Sequence, residues 1–169
     1  MESFSFFSPT RLISGRGAVA ETPGVLAKKG LKKPLVVTDR GLIEVGLVGR
    51  LTSLLDSEGV ASAIYDGVEA NPPVRVVHAC AECYEAEGCD CLIALGGGSS
   101  MDTAKGAAVI IVNGGRVEDY FWPKRVKERG PFLLCVPTTY GTGSEVTPFA
   151  VITDENLYKA VVIGPEILP

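Results

Sequence analysis

The run Gly96-Gly97-Gly98-Ser99-Ser100-Met101-Asp102-Thr103-Ala104-Lys105 places three glycines between an apolar segment and a stretch with helical spacing. Glycine lets a backbone turn sharply and lets a ligand approach where a Cβ would stand in the way. The first turn of a helix has N–H groups without intrahelical partners, and the helix dipole adds positive potential there. A glycine turn feeding a helix therefore has the chemistry of an anion site, and pyrophosphate is its natural guest. Ser99 is read as the helix N-cap and Asp102, three residues on, as its capping-box partner. No lysine followed by Ser or Thr closes a glycine loop, which argues against a P-loop, and the G-x-G-x-x-G fingerprint is also missing.

A second polar loop follows another apolar run. Pro137-Thr138-Thr139-Tyr140-Gly141-Thr142-Gly143-Ser144-Glu145 offers hydroxyls and glycines directly after Phe132–Val136. In open α/β sheets ligands bind at the carboxyl ends of the strands, so two such loops on one sheet are more specific than either alone. Asp39 ends an earlier apolar run, Pro34–Thr38. Two readings of it stand open. It accepts a hydrogen bond from a ribose hydroxyl, provided its strand lies beside the glycine-loop strand, or it caps the turn or helix starting near Gly41.

Two other residue types bear on chemistry. Cys80, Cys83, Cys89 and Cys91 have a spacing compatible with a zinc cluster. Their places on a helix and at the start of a buried strand favour core packing, as does that of Cys135 inside Phe132–Val136. The sequence holds a single histidine, His78, so any multi-histidine metal site within the chain is excluded.

These residues need a frame. Pro34–Thr38, Ala61–Tyr65, Cys91–Leu95 and Phe132–Val136 read as buried strands. Val19–Lys29, Leu47–Ser57, Val74–Glu87 and Met101 to about Val112 read as helices, with Gly30, Gly59 and Gly88 as left-handed residues just past three of them. Alternating helices and strands, with strands continuous in Val, Ile and Leu, predict an α/β doubly wound, mostly parallel sheet of Rossmann-like type. Ser5–Ser14 and the pair Phe149–Thr153 and Lys159–Ile163 are expected as edge hairpins. Residues 1–169 are read as one dinucleotide-binding domain. A chain with 46% apolar and 21% charged residues is globular by composition, and its net charge of -4 without a basic run argues against nucleic acid. No apolar run approaches bilayer length, and Met1–Ser8 lacks the marks of a secretory leader, so a cytoplasmic, membrane-free location is expected.

The segments Gly96–Lys105 and Pro137–Glu145 together resemble the paired signatures of the iron-containing (group III) alcohol dehydrogenases. The likeness extends to Gly15-Arg16-Gly17, Val37-Thr38-Asp39, Asp66-Gly67-Val68, Asn71-Pro72 and Val151-Ile152-Thr153-Asp154. It implies the cofactor domain of an enzyme that moves hydride between NAD and an alcohol or aldehyde, with NADP less favoured. By the same resemblance Gly97, Gly98 and Ser99 hold the pyrophosphate, and Thr138, Thr139 and Thr142 line the adenosine and phosphate region. Asp39 then faces the adenosine ribose, Asn71 lies near the adenine end, Lys159 reaches the nicotinamide-side ribose, and Asp102 orients the glycine loop. The family's Fe2+ or Zn2+ is held by one aspartate and three histidines of a helical C-terminal domain, so no metal ligand or catalytic residue is named here. Residues 1–169 are accordingly expected to be the N-terminal, catalytically incomplete part of a longer enzyme. The resemblance also implies a homodimer formed through the Ser5–Ser14 region. Tyr140 departs from the family's usual small residue and is expected to narrow the cleft. A dehydroquinate synthase-like NAD and metal lyase, or a stand-alone nucleotide-binding module, are the alternatives. The wording of Pro137–Glu145 argues against the lyase.

Overall fold

The computed structural model describes residues 8–169. Four parallel strands, β1 (Pro34–Val37), β2 (Ala63–Tyr65), β3 (Cys91–Gly96) and β4 (Phe132–Pro137), form the central sheet in the order β2-β1-β3-β4. Helices α1 (Thr22–Lys28), α2 (Arg40–Glu44), α3 (Leu47–Ser57), α4 (Val74–Ala86) and α5 (Gly98–Asn113) connect them. Alternate residues of each strand serve different cores. Leu35, Val37, Leu92 and Ala94 pack with α4 and α5, whereas Val36, Cys91, Ile93 and Leu95 pack with Leu26, Leu51 and Leu55 of α1 and α3. A sheet buried on both faces needs apolar residues at every position, and β1 and β3 are fully buried throughout.

Local chemistry explains most boundaries. Gly30, Gly59 and Gly88 have φ of 71°, 72° and 60° and close three helices. After α1, the Leu31 N–H reaches the Leu26 carbonyl at 3.1 Å and the Gly30 N–H reaches that of Ala27 at 3.0 Å, the paired bonds of a Schellman ending. Two helices differ from expectation. The stretch read as Val19–Lys29 divides into a 3-10 turn, Ala18–Glu21, and α1, because Pro23 fits only the first turn of an α-helix. Helix α5 begins at Gly98 rather than Met101: Gly98 already has helical backbone, and the extended Gly97 is the N-cap.

The second hairpin, β5 (Phe149–Thr153) and β6 (Lys159–Ile163), is antiparallel as expected, but it forms its own two-stranded sheet. Ala150, Ile152 and Val162 join the core around α5. Gly106 in the middle of α5 permits this approach, since a Cβ there would stand 2.9 Å from both Ile152 and Val77. Residues 8–14 of the other expected hairpin carry no strand, and the remainder of it lies outside the described residues.

Candidate nucleotide-binding site

Strand order 2-1-3-4 puts the connections from β1 and β3 on opposite sides, which opens a crevice at their carboxyl ends. The loops singled out in the sequence emerge there. Gly96 pairs with Pro137 at the ends of β3 and β4, and the Thr138 N–H donates to the Gly96 carbonyl at 2.9 Å. Gly96 has φ of 151°, and a Cβ on it would collide with the Ser100 side chain. A Cβ on Gly97 would touch Thr139 Oγ1 at 3.0 Å, and one on Gly98 would touch Thr142 Cγ2 at 3.3 Å. The three glycines thus make a cradle that side chains would fill, beneath a threonine lip and at the N-terminus of a 16-residue helix.

The ten residues expected to hold the cofactor fall on two sides of this turn. Asn71, Gly98, Ser99, Asp102, Thr142 and Lys159 line one cleft of about 490 Å³ beside β5. Asp39, Gly97, Thr138 and Thr139 do not line it; they stand at the tips of β1, β3 and β4. Asn71, expected at the adenine end, and Lys159, expected at the nicotinamide-side ribose, share one cleft. The cause is Thr153, whose hydroxyl donates to the Asn71 carbonyl at 2.9 Å and whose N–H donates to that of Pro72 at 2.9 Å. These bonds tie the loop before α4 to β5 and hold Asn71 at φ 51°.

Both open readings of Asp39 find support. Its Oδ1 accepts the Leu42 N–H at 3.1 Å and so caps α2. Its strand also lies beside β3, with Val36 opposite Ile93, the placement that a ribose contact requires. The capping roles given to Ser99 and Asp102 do not hold. Helix α5 starts before Ser99, and no side chain caps it. Asp102 faces sideways instead: Oδ1 accepts the Ser144 hydroxyl at 2.6 Å and Oδ2 accepts the Val151 N–H at 3.0 Å. It therefore orients the second loop and β5, not the glycine turn. Burial pushes its carboxyl above the ordinary value, with the Ser144 and Val151 bonds opposing. Tyr140 is fully exposed, outside the cleft lining, and narrows nothing there.

Sequence reasoning gave no role to Lys105, which is wholly buried beneath the second loop. A signal was available, since it interrupts the apolar run Thr103–Ile111 of a helix. Burial pulls its ammonium below the ordinary lysine value, and the Asp102 charge opposes that.

The cysteines stand apart. Cys80 and Cys89 belong to the core on one face of the sheet and Cys91 to the core on the other. Burial pushes the Cys89 thiol up to about 11 and that of Cys135 to about 12. Among the described residues no group of three or more His, Cys, Asp or Glu side chains is placed to hold a metal ion. His78 Nε2 lies 3.1 Å from Glu118 Oε2, outside the cleft lining. No helix among the described residues is long and apolar enough to cross a membrane.

A doubly wound α/β domain with a glycine-lined cradle at its strand switch point is the class that fold and site define. The chain belongs to the iron-containing alcohol dehydrogenase family, whose family model matches residues 9–169. It is 43% identical over 160 residues to the choline dehydrogenase of Bacillus subtilis, covering 92% of this chain and 40% of that protein. With alcohol dehydrogenase 4 of Schizosaccharomyces pombe it shares 37% identity over 166 residues, 98% of this chain and 39% of the relative. Among solved structures, the sulfoacetaldehyde reductase of Bifidobacterium kashiwanohense in complex with NAD+ superposes with a TM-score of 0.90 at 31% identity, over 100% of this chain and 45% of that one. The alcohol dehydrogenase of Oenococcus oeni gives 0.91 at 36% identity, over 99% and 44%. The chain spans about two fifths of the length of these curated relatives.

Proposed function

We propose that this chain is the nucleotide-binding part of an NAD-linked, metal-dependent alcohol dehydrogenase. The observation that carries the reading is the glycine cradle at the N-terminus of α5, faced by Thr139 on one side and Thr142 on the other. Free N–H groups of the first helical turn suit a pyrophosphate, and a Cβ at Gly97 or Gly98 would crowd it. Asp39, beside the cradle, accepts from a ribose 2′-hydroxyl and repels a 2′-phosphate, which favours NAD over NADP. Thr138 and Thr139 extend the adenosine side. Asn71, Lys159 and Asp102 border the opposite cleft, the side toward the nicotinamide. Bound NAD supplies the hydride acceptor for an alcohol and returns the hydride to an aldehyde. Several relatives carry names of this kind, including the NAD-dependent methanol dehydrogenase of Bacillus methanolicus and the lactaldehyde reductase of Escherichia coli.

The described residues do not fit an iron or zinc site, since no three of their His, Cys, Asp or Glu side chains converge. We assign metal binding, and with it turnover of a small alcohol or aldehyde, to the parent enzyme as a whole, which we take to be homodimeric and cytoplasmic. Titration of the purified chain with NADH and NADPH, followed by fluorescence, tests the reading. NADH should bind more tightly, and Asp39→Gly should narrow the difference by about tenfold, or about 1.4 kcal/mol. Equal affinities in the unmodified chain would overturn the NAD preference, and binding of neither would overturn the nucleotide reading.

A further inference from the structure

Lys105 is the one charged residue among the buried side chains described, and the nucleotide reading leaves it unused. Its Nζ donates to the carbonyls of Ser144 at 2.5 Å, Thr147 at 2.8 Å and Phe149 at 2.8 Å, and lies 3.1 Å from Ser144 Oγ. An ammonium has three protons, so the chain itself saturates this one and leaves nothing for a ligand. The three carbonyls belong to a stretch that is neither helix nor strand until Phe149. Without the ammonium these carbonyls, that of Ser144 in a buried bond and the other two in part-buried ones, would lose this donor, at a cost that grows with burial.

The bonds continue outward. Ser144 Oγ, 3.1 Å from Lys105 Nζ, donates to Asp102 Oδ1 at 2.6 Å. The Ser144 N–H donates to Thr142 Oγ1 at 3.3 Å, and Thr142 is the residue packed over Gly98. Asp102 and Lys105 lie one helical turn apart on α5, so both reach the same segment from one face. The geometry points to Lys105 as a positioning residue: with Asp102, through Ser144, it clasps residues 144–149 to α5 and thereby sets the height of the Thr142 lip above the cradle. A shorter or neutral side chain cannot serve three carbonyls at once. The inference rests on the nucleotide reading for its functional consequence, while the clasp itself is independent of it.

The test pairs Lys105→Met with Leu51→Ala, a core truncation on the opposite face of the sheet that touches neither loop. Both should lower the melting temperature. At a temperature where both are folded, Lys105→Met should weaken NADH binding about tenfold or more, and Leu51→Ala should stay within about twofold of the unmodified chain. Amide exchange over residues 142–151 should quicken in Lys105→Met and remain unchanged in Leu51→Ala. Ser144→Ala keeps its carbonyl but cuts the link to Asp102, and should move both readouts the same way by less. It carries the test should Lys105→Met fail to fold. Unaltered NADH affinity in a folded Lys105→Met chain would overturn the inference. If the unmodified chain binds no NADH, the nucleotide reading fails and amide exchange alone decides the clasp: faster exchange supports it, and unchanged protection removes it.

Discussion

The two lips of the cleft are built in opposite ways. The glycine turn is shaped mainly by its neighbours in sequence: β3 ends at Gly96, α5 starts at Gly98, and the intervening backbone follows from glycine's freedom, with the Thr138 N–H bond to Gly96 joining it to β4. The loop after β4 has no regular structure from Thr138 to Pro148, and its course is fixed by two side chains of another element. One lip is local and the other is held from a distance. Damage to the first should show at the turn itself, whereas damage to the second can begin inside α5, away from any ligand.

The largest effect is expected at the local lip. Gly96→Ala sets a Cβ against Ser100 at a φ that side chains rarely adopt, and should cost about 3 kcal/mol of stability together with most nucleotide affinity. Chemical denaturation and NADH fluorescence measure the two losses. Retention of wild-type stability would show that the turn is not locally determined.

The far end of the sheet provides a contrast without ligand chemistry. Asp90, just before β3, accepts the N–H groups of Lys32 at 2.7 Å and Lys33 at 3.0 Å. Burial pushes its carboxyl up, but these backbone bonds outweigh that and hold it below the ordinary value. A depressed carboxyl contributes stability that is present above its unfolded pKa and lost as pH falls through the folded one. Asp90→Asn should therefore cost about 1–2 kcal/mol near pH 7, with the gap closing below roughly pH 4, while NADH affinity is unchanged. Denaturation midpoints across pH check this, and a gap that persists in acid would mean that charge plays no part.

The smallest effect belongs to the tip of the β5–β6 hairpin. Leu157 has φ of 66° and is largely exposed. A left-handed leucine costs about 1–2 kcal/mol, and glycine's greater unfolded freedom offsets about half of that. Leu157→Gly should thus stabilise the chain by about 0.5 kcal/mol, raising its melting temperature by a few degrees at most. A lower melting temperature would indicate a packing role for Leu157.

Hydrophobic patterning and glycine placement made nearly the whole sheet legible from the sequence, because strand burial and helix endings depend on a few adjacent residues. The boundaries that moved were those where a residue had two uses. Gly98 read as part of the turn and Ser99 as the N-cap, yet both lie in the first helical turn. Asp102 read as a cap because of its spacing from Ser99, yet its partners are Ser144 and Val151, more than forty residues away.

The sequence by itself determined the parallel α/β architecture, the glycine cradle and the two loops that flank it. Only the tertiary structure decided which residues share a side of that cradle. Asn71 joins Lys159 because Thr153 bonds the loop before α4, and Lys105 acquires its role because the chain returns over α5 with three carbonyls to satisfy. The physical reason is range. Backbone freedom and helix capping act over three or four residues and leave a mark in the local sequence. A buried ammonium is satisfied by whichever carbonyls the fold brings to it, and their distance along the chain leaves no such mark.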